Sequence, residues 1–138
     1  MPKLTRRQQV IGCASIVVLI ALFLPWETVS LATGTVHFDG WTTGIAGWGG
    51  ALLLSAAGEY LILRRLKYRI YAPPFGDTRL AAGIAAVGLV LMIYCGANLP
   101  AFNGVDTSRS YGFWLAIAAG VVELVAAIDE ARDPVPTD

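Results

Sequence analysis

Charged side chains are scarce in this sequence: they make up 14% of its residues, against about 25% in an ordinary soluble domain. The formal net charge is zero, so the chain lacks the basic excess of most nucleic-acid-binding proteins. Histidine occurs once and cysteine twice, with no CxxC pair, which excludes the common zinc motifs. We therefore expect no nucleic-acid partner.

Hydrophobic residues take the place of the missing charges, at 56% of the chain with a mean hydropathy of +0.62. Four apolar runs approach the roughly 20 residues that a membrane-crossing helix needs. The sequence predicts an all-α membrane protein, a four-transmembrane-helix bundle that forms a single integral membrane domain over residues 1–138. The predicted spans are approximately 9–26, 44–64, 80–99 and 111–129, joined by outer loops 27–43 and 100–110 and a cytoplasmic loop 65–79.

Lysine and arginine are distributed unevenly around these runs. Three basic residues precede the first run, five lie between the second and third, one follows the fourth, and only Arg109 falls on the opposite side. By the positive-inside rule we expect a multi-pass protein of the cell membrane (inner or plasma) with cytoplasmic N- and C-termini. A cleaved signal peptide is the alternative for the first run, but the small residues near Ser30 lie well beyond that run.

The polar stretch "LPWETVSLATGTVHFDGW" at 24–41 separates the first two apolar runs. Its apolar and polar residues alternate as they do in half-buried strands. A two-residue turn at Thr33 and Gly34 sets Val29 opposite Phe38 and puts the apolar side chains of both strands on one face. We therefore predict a small extracytoplasmic β-hairpin between helices 1 and 2.

Tryptophan is concentrated near the ends of the predicted spans. Indole prefers the membrane–water interface, where its ring has apolar surroundings and its N–H reaches water. The predicted interfacial anchors are Trp26, Trp41, Trp48 and Trp114.

Ser30, His37 and Asp39 come close together in the predicted hairpin and suggest a hydrolytic triad. No nucleophile-elbow motif surrounds the serine, however, and one histidine with one carboxylate supplies too few ligands for a closed metal site. We expect no enzyme activity, no catalytic residue, no metal site and no cofactor.

Two carboxylates fall inside the predicted spans, Glu59 in the second and Glu123 in the fourth. Both should lie roughly 8–10 Å from the cytoplasmic ends of their helices, at a shared depth. Because an uncompensated charge inside a membrane costs several kcal/mol, these two residues form the candidate intramembrane polar site. The alternative is that each carboxyl is protonated or turns toward the nearby interface.

Small residues recur along the predicted helices at spacings of three or four. Such residues let helix backbones approach closely, which is how membrane helices gain packing contacts. The candidate helix-packing residues are Gly47, Gly50, Ala82, Ala86, Ala116 and Gly120.

Residues 22–58 combine a span that ends in "LPW", a β-like outer loop, and "GW" followed by a Gly-rich second span. This layout resembles small uncharacterised prokaryotic four-helix membrane proteins of the tryptophan-associated membrane-protein type. The resemblance implies a tetraspan fold and brings no catalytic residues. The outline is also similar to claudin-like tetraspan proteins, although their paired loop cysteines are absent here.

Two functions follow as hypotheses. The first is a non-enzymatic integral membrane protein that acts as a homo-oligomeric structural protein or as an accessory subunit of a membrane complex. Its partners would be the lipid bilayer and either further copies of itself or other membrane subunits. The alternative is a small ion- or proton-coupled transporter or channel that uses Glu59 and Glu123.

Overall fold

The computed structural model describes residues 3–98 and 106–132, and in that part the chain forms four α-helices and one three-stranded sheet. Helices α2, α3 and α4 are each long and apolar enough to cross a membrane. The helices are α1 (Arg6–Ala21), α2 (Ile45–Arg65), α3 (Asp77–Ala97) and α4 (Tyr111–Arg132), and the strands are β1 (Pro25–Leu31), β2 (Gly34–Asp39) and β3 (Asp106–Arg109).

Helix α1 is the shortest, with 16 residues, or roughly 24 Å at 1.5 Å per residue. It begins at a capping box in which Thr5 and Gln8 exchange side-chain and backbone hydrogen bonds. It ends at Ala21 because Pro25 lacks an amide hydrogen and disfavours helix in the residue before it. The helix therefore ends before the outer end of the predicted span 9–26. Because α1 is not among the helices long and apolar enough to cross a membrane, the four-span bundle stays a prediction.

The helices pack as two close pairs, α2 with α3 and α1 with α4. The main hydrophobic core lies between the pairs and includes Val18, Leu54, Met92 and Phe113. A smaller cluster around Leu61 lies at the other end of the bundle. The bundle is thus closed by apolar contacts along most of its length.

The turn of the predicted hairpin lies one residue earlier than expected, at Ala32 and Thr33, and β1 pairs antiparallel with β2. Val29 lies opposite Val36 instead of Phe38. Gly34, the first residue after the turn, has φ at 143°. A β-branched residue such as Thr33 adopts a positive φ poorly, so a glycine suits this position. The pairing moves by an even number of residues, so the predicted sorting of side chains between the two faces is unchanged.

The third strand was not predicted. β3 pairs antiparallel with β1 on the side opposite β2, so the order of strands in the sheet is β2-β1-β3. It lies in the segment 100–110 that the sequence assigned to an outer loop; of that segment, 100–105 lies outside the described residues. The fold is mostly helical, but the expected all-α bundle with a two-stranded hairpin is corrected to four helices and a three-stranded sheet.

Candidate functional site

Glu123 is the more deeply buried of the two predicted intramembrane carboxylates, with 1% of its surface exposed. It lies on α4 against Gly58 of α2 and close to Ser15 of α1. A methyl group on Gly58 would lie 2.5 Å from Ser15 Cβ and 2.9 Å from Glu123 Oε1. The glycine is therefore required for the close approach of three helices around this carboxyl group.

Neither carboxyl oxygen of Glu123 has a hydrogen-bond partner among the described residues. The nearby hydroxyl of Ser15 donates instead to the carbonyl of Gly12, at 2.8 Å. An unpaired carboxylate in such surroundings costs several kcal/mol, whereas a neutral carboxyl costs less. The arrangement is chemically suited to holding a proton between three helices.

Glu59 lies beside this site but faces outward. It follows Gly58 directly in the chain, and its exposed side chain lines a groove between α1 and α2 together with Ser15, Ile16 and Ile62. Glu59 is next in the chain to Gly58, which contacts Glu123, but the side chain of Glu59 is exposed while that of Glu123 is buried. Ser15, which lines the groove and touches Gly58, is the side chain between them.

A second buried carboxylate, Glu130, was not singled out from the sequence. It is fully buried, and its Oε1 accepts a hydrogen bond from Gln8 Nε2 at 2.9 Å. Arg65 Nη2 lies 3.5 Å from Oε1, and Arg7 Nη1 lies 3.6 Å from Oε2. Spacing could have indicated it, because Glu130 follows Glu123 by seven residues and so lies on the same helix face.

The same cluster reaches α3. Arg65 Nη2 lies 3.9 Å from Asp77 Oδ1, and Arg64 Nε lies 3.7 Å from Asp77 Oδ2. Gln8, Arg7, Arg64, Arg65, Asp77 and Glu130, which we call the basal ion cluster, therefore join the ends of all four helices. Arg7, Arg64 and Arg65, which contribute to the predicted orientation in the membrane, thus also hold the helix ends together.

The glycines predicted to pack helices do so inside the protein. A methyl group on Gly50 would lie 2.6 Å from the carbonyl oxygen of Gly88, and the reverse contact is equally close. Gly47 lies against Thr43 and Cys95, while Gly120 receives the side chain of Leu54. These contacts are used within one chain, so Gly47 and Gly50 are unavailable to a second copy.

The predicted alanines divide by burial. Ala116 is fully buried in the main core, whereas Ala82 and Ala86 are only half-buried. The close contact between α2 and α3 runs through Gly50 and Gly88, and Gly88 was not among the predicted packing residues.

Trp26 is a core residue, and its predicted role as an interfacial anchor is wrong. Only 1% of its surface is exposed. Its indole N–H donates to the carbonyl of Ala21 at 2.7 Å, and its ring meets Phe113 edge-on at 5.7 Å between centroids. Gly40 permits this packing, because a methyl group there would lie 2.7 Å from the indole. The N–H is satisfied internally, so the ring needs no water.

The other three tryptophans are at least partly exposed at the protein surface. Trp41 and Trp114 are exposed and Trp48 is half-buried. The rings of Trp41 and Trp48 stack at 6.5 Å, and Phe23 meets Trp41 edge-on at 5.7 Å. Their role as interfacial anchors stays a prediction.

The three hairpin residues considered as a triad do not assemble. His37 Nδ1 lies 3.0 Å from the hydroxyl of Thr28, the residue opposite it in the sheet. Ser30 lies opposite Thr35 instead. The carboxylate of Asp39 accepts from the amide of Thr42 at 3.3 Å and caps the 3₁₀ turn that follows β2. The side chains of His37 and Asp39 thus each have a local structural partner.

Glu27, by contrast, is a buried carboxyl in the sheet that sequence reasoning missed. Its Oε1 is buried without a hydrogen-bond partner in the described part of the chain. Burial raises the pKa of Glu27 above its ordinary value of 4.5. Arg109 lies across from it in register, but its guanidinium is over the ring of Phe113, 5.9 Å from the centroid.

Across residues 3–98 and 106–132, no group of three or more His, Cys, Asp or Glu side chains is placed to hold a metal ion. The arrangement instead offers isolated carboxyl groups at two depths, Glu27 in the sheet and Glu123 within the helices. Comparison with protein-family models, with curated proteins and with solved structures found no match to this chain, so the resemblance to tryptophan-associated membrane proteins stays a prediction.

Proposed function

We propose that this chain is a non-enzymatic integral membrane protein of the cell membrane that acts as a homo-oligomeric structural protein or as an accessory subunit of a membrane complex. The observation that carries the membrane location is the large apolar surface of helices long enough to cross a bilayer. Side chains of this surface include Val87, Val90, Ile93, Val121, Val122 and Val125. Such a surface is costly in water and ordinary in lipid.

Charge placement supports cytoplasmic termini and an outer sheet. The basal ion cluster lies at the helix ends that do not connect to the strands of the sheet. The exposed basic residues in or next to the same helix ends are Lys3, Arg6, Lys67, Arg69 and Arg132. Arg109, in β3, is the one basic residue of the sheet. By the positive-inside rule, the basic end faces the cytoplasm.

A structural or accessory role is supported by the use of the polar side chains. Thr28 and His37 pair with each other, Asp39 caps a turn, and the basal ion cluster ties helix ends together. These contacts leave the apolar outer faces of the helices as the surface for assembly, because the closest glycine contacts are internal.

The test is to extract the full chain in a mild detergent, determine the mass of the particle, and identify every protein that copurifies. A stoichiometric partner or a defined homo-oligomer is the expected result. Tryptophan substitutions at exposed Val90 on α3 and Val122 on α4 add bulk without entering the core. We expect one of them to disrupt assembly and the other to serve as its lipid-facing control. A monomer without partners, also by cross-linking in native membranes, would contradict the proposal.

Proton or ion coupling is the second candidate function, and one observation favours it. Glu123 is a buried carboxyl without a hydrogen-bond partner among the described residues, and Ser15 and Gly58 lie between it and a groove that contains Glu59. A proton that binds there would change the charge between three packed helices. We expect Glu123→Gln to abolish pH-driven flux in proteoliposomes and Glu59→Gln to reduce it. Absence of flux from the unmodified protein under broad ion gradients removes this candidate.

A further inference from the structure

A groove lies on the outer side of the α2–α3 pair, at the basic end of the bundle. Its apolar walls include Leu53 of α2 and Ile84 and Val87 of α3, and Phe75 borders it from the segment before α3. The charged group that lines it is Arg79, in the first turn of α3. The groove is therefore an apolar channel with one guanidinium at its end.

The floor of the groove is Gly83. A methyl group on this residue would meet nothing within 4 Å, so the glycine is not required by any internal contact. From Arg79 to Val87 the groove follows two turns of α3, or roughly 12 Å. The space has the length and the apolar lining for a stretch of hydrocarbon chain.

Arg79 differs from Arg64 and Arg65 of the basal ion cluster. Arg64 and Arg65 form ion pairs with Asp77, and Arg65 also with Glu130. Arg79 is exposed and takes part in no ion pair among residues 3–98 and 106–132. Its positive charge is therefore available to an anion at the mouth of the groove.

We propose that this groove binds an anionic phospholipid, with one acyl chain over Gly83 and the phosphate on Arg79. A guanidinium binds phosphate through two parallel hydrogen bonds, which gives geometric specificity beyond charge attraction. A second copy of the chain fits less well, because a two-fold contact at this groove brings two Arg79 side chains together. The proposal rests on the proposed membrane location but is independent of the subunit role.

The test uses the full chain in nanodiscs that contain dioleoylphosphatidylcholine with increasing dioleoylphosphatidylglycerol, followed by release and native mass spectrometry of the lipids retained. We expect selective retention of one phosphatidylglycerol. Arg79→Gln should weaken that retention about fivefold, since one basic residue near a membrane surface contributes on the order of 1 kcal/mol. Gly83→Leu should abolish it, because the leucine fills the groove.

Two control variants match these changes. Arg69→Gln removes an exposed charge from the segment between α2 and α3, outside the groove, and Val90→Leu adds apolar bulk to α3 outside the groove. Both should retain the lipid. Equal losses in Arg69→Gln and Arg79→Gln would overturn the proposal, since they indicate diffuse charge attraction. Unchanged lipid retention in Gly83→Leu, with or without a change in particle mass, would also overturn it. Extraction without detergent would instead contradict the membrane location itself.

Discussion

Glu123 and Glu130 lie seven residues apart on one face of α4, and both side chains are buried, yet their surroundings are opposite. Glu130 lies among Gln8, Arg7 and Arg65 at the end of the bundle. Glu123, two turns deeper, lies against Ser15 and Gly58 and has no partner in the described chain. Burial alone therefore does not define the role of an acidic residue: the first holds helices together, and the second is a candidate site for a proton.

The largest effect is expected from Glu130→Ala. This change leaves the nearly buried Arg65 with Asp77 alone and removes the acceptor of Gln8. Removing one member of a buried ion pair costs about 3–5 kcal/mol. We expect a loss of this size in the free energy of unfolding, measured by denaturant titration in a fixed detergent.

The control for this variant is Asp129→Ala, which removes the same charge from an exposed neighbour. It should change the stability by less than about 0.5 kcal/mol. Similar losses in both variants would show that net charge, and not the basal ion cluster, stabilises this end of the bundle.

A smaller loss is expected from Gly58→Ala, which tests how closely the helices approach around Glu123. The new methyl group would lie 2.5 Å from Ser15 Cβ and 2.9 Å from Glu123 Oε1. Such overpacking costs about 1–3 kcal/mol. Gly83→Ala, which places a methyl in open space, is the matched control and should leave stability unchanged or slightly higher. Equal behaviour of the two variants in the same titration would contradict the close packing at Gly58.

Glu123→Gln should act in the direction opposite to Glu130→Ala. It replaces a carboxyl that has no hydrogen-bond partner among the described residues by a neutral group of similar size. We expect a gain in stability of about 1 kcal/mol at neutral pH. The same titration measures it, with Glu59→Gln at the exposed neighbouring position as the control. A clear loss of stability in Glu123→Gln would mean that the carboxylate has a bound partner, such as a cation.

The smallest effect concerns Glu27 and depends on pH. Because burial raises the pKa of Glu27, the folded protein holds this proton to a higher pH than the unfolded chain does. The stabilisation that this bound proton contributes is complete at a pH below 4.5, the ordinary pKa of a glutamate. It is lost as the pH rises through the pKa of Glu27 in the folded protein. Relative to Glu27→Gln, the unmodified protein should therefore lose thermal stability as the pH rises from 4.5 through the folded pKa of Glu27. A relative gain over that interval would contradict a buried Glu27 whose Oε1 has no hydrogen-bond partner in the described chain.

Much of the helical architecture was predictable because long apolar runs have few alternatives. The runs at 44–64, 80–99 and 111–129 correspond closely to α2, α3 and α4. The hairpin was also predictable, since alternating side chains specify two faces regardless of a shift by two residues. Its register was not, because one residue at the turn decides it.

The errors came from residues whose partners are distant in the chain. Trp26 was placed at the interface by residue type, but Phe113 and Gly40 enclose it. β3 is a polar segment that pairs only because β1 has a free edge. No local pattern reports either contact.

By itself the sequence determined the apolar helices, the alternating strands and the accumulation of basic residues at one end, because each follows from the order of residue types along the chain. Only the tertiary structure decided that Glu130 has hydrogen-bond and ion-pair partners while Glu123 has no hydrogen-bond partner in the described part of the chain. It also decided that Gly50 meets Gly88 within one molecule and that Gly83 has open space around it. Those outcomes depend on which helix faces meet. A helix with apolar residues on all sides leaves that choice to packing.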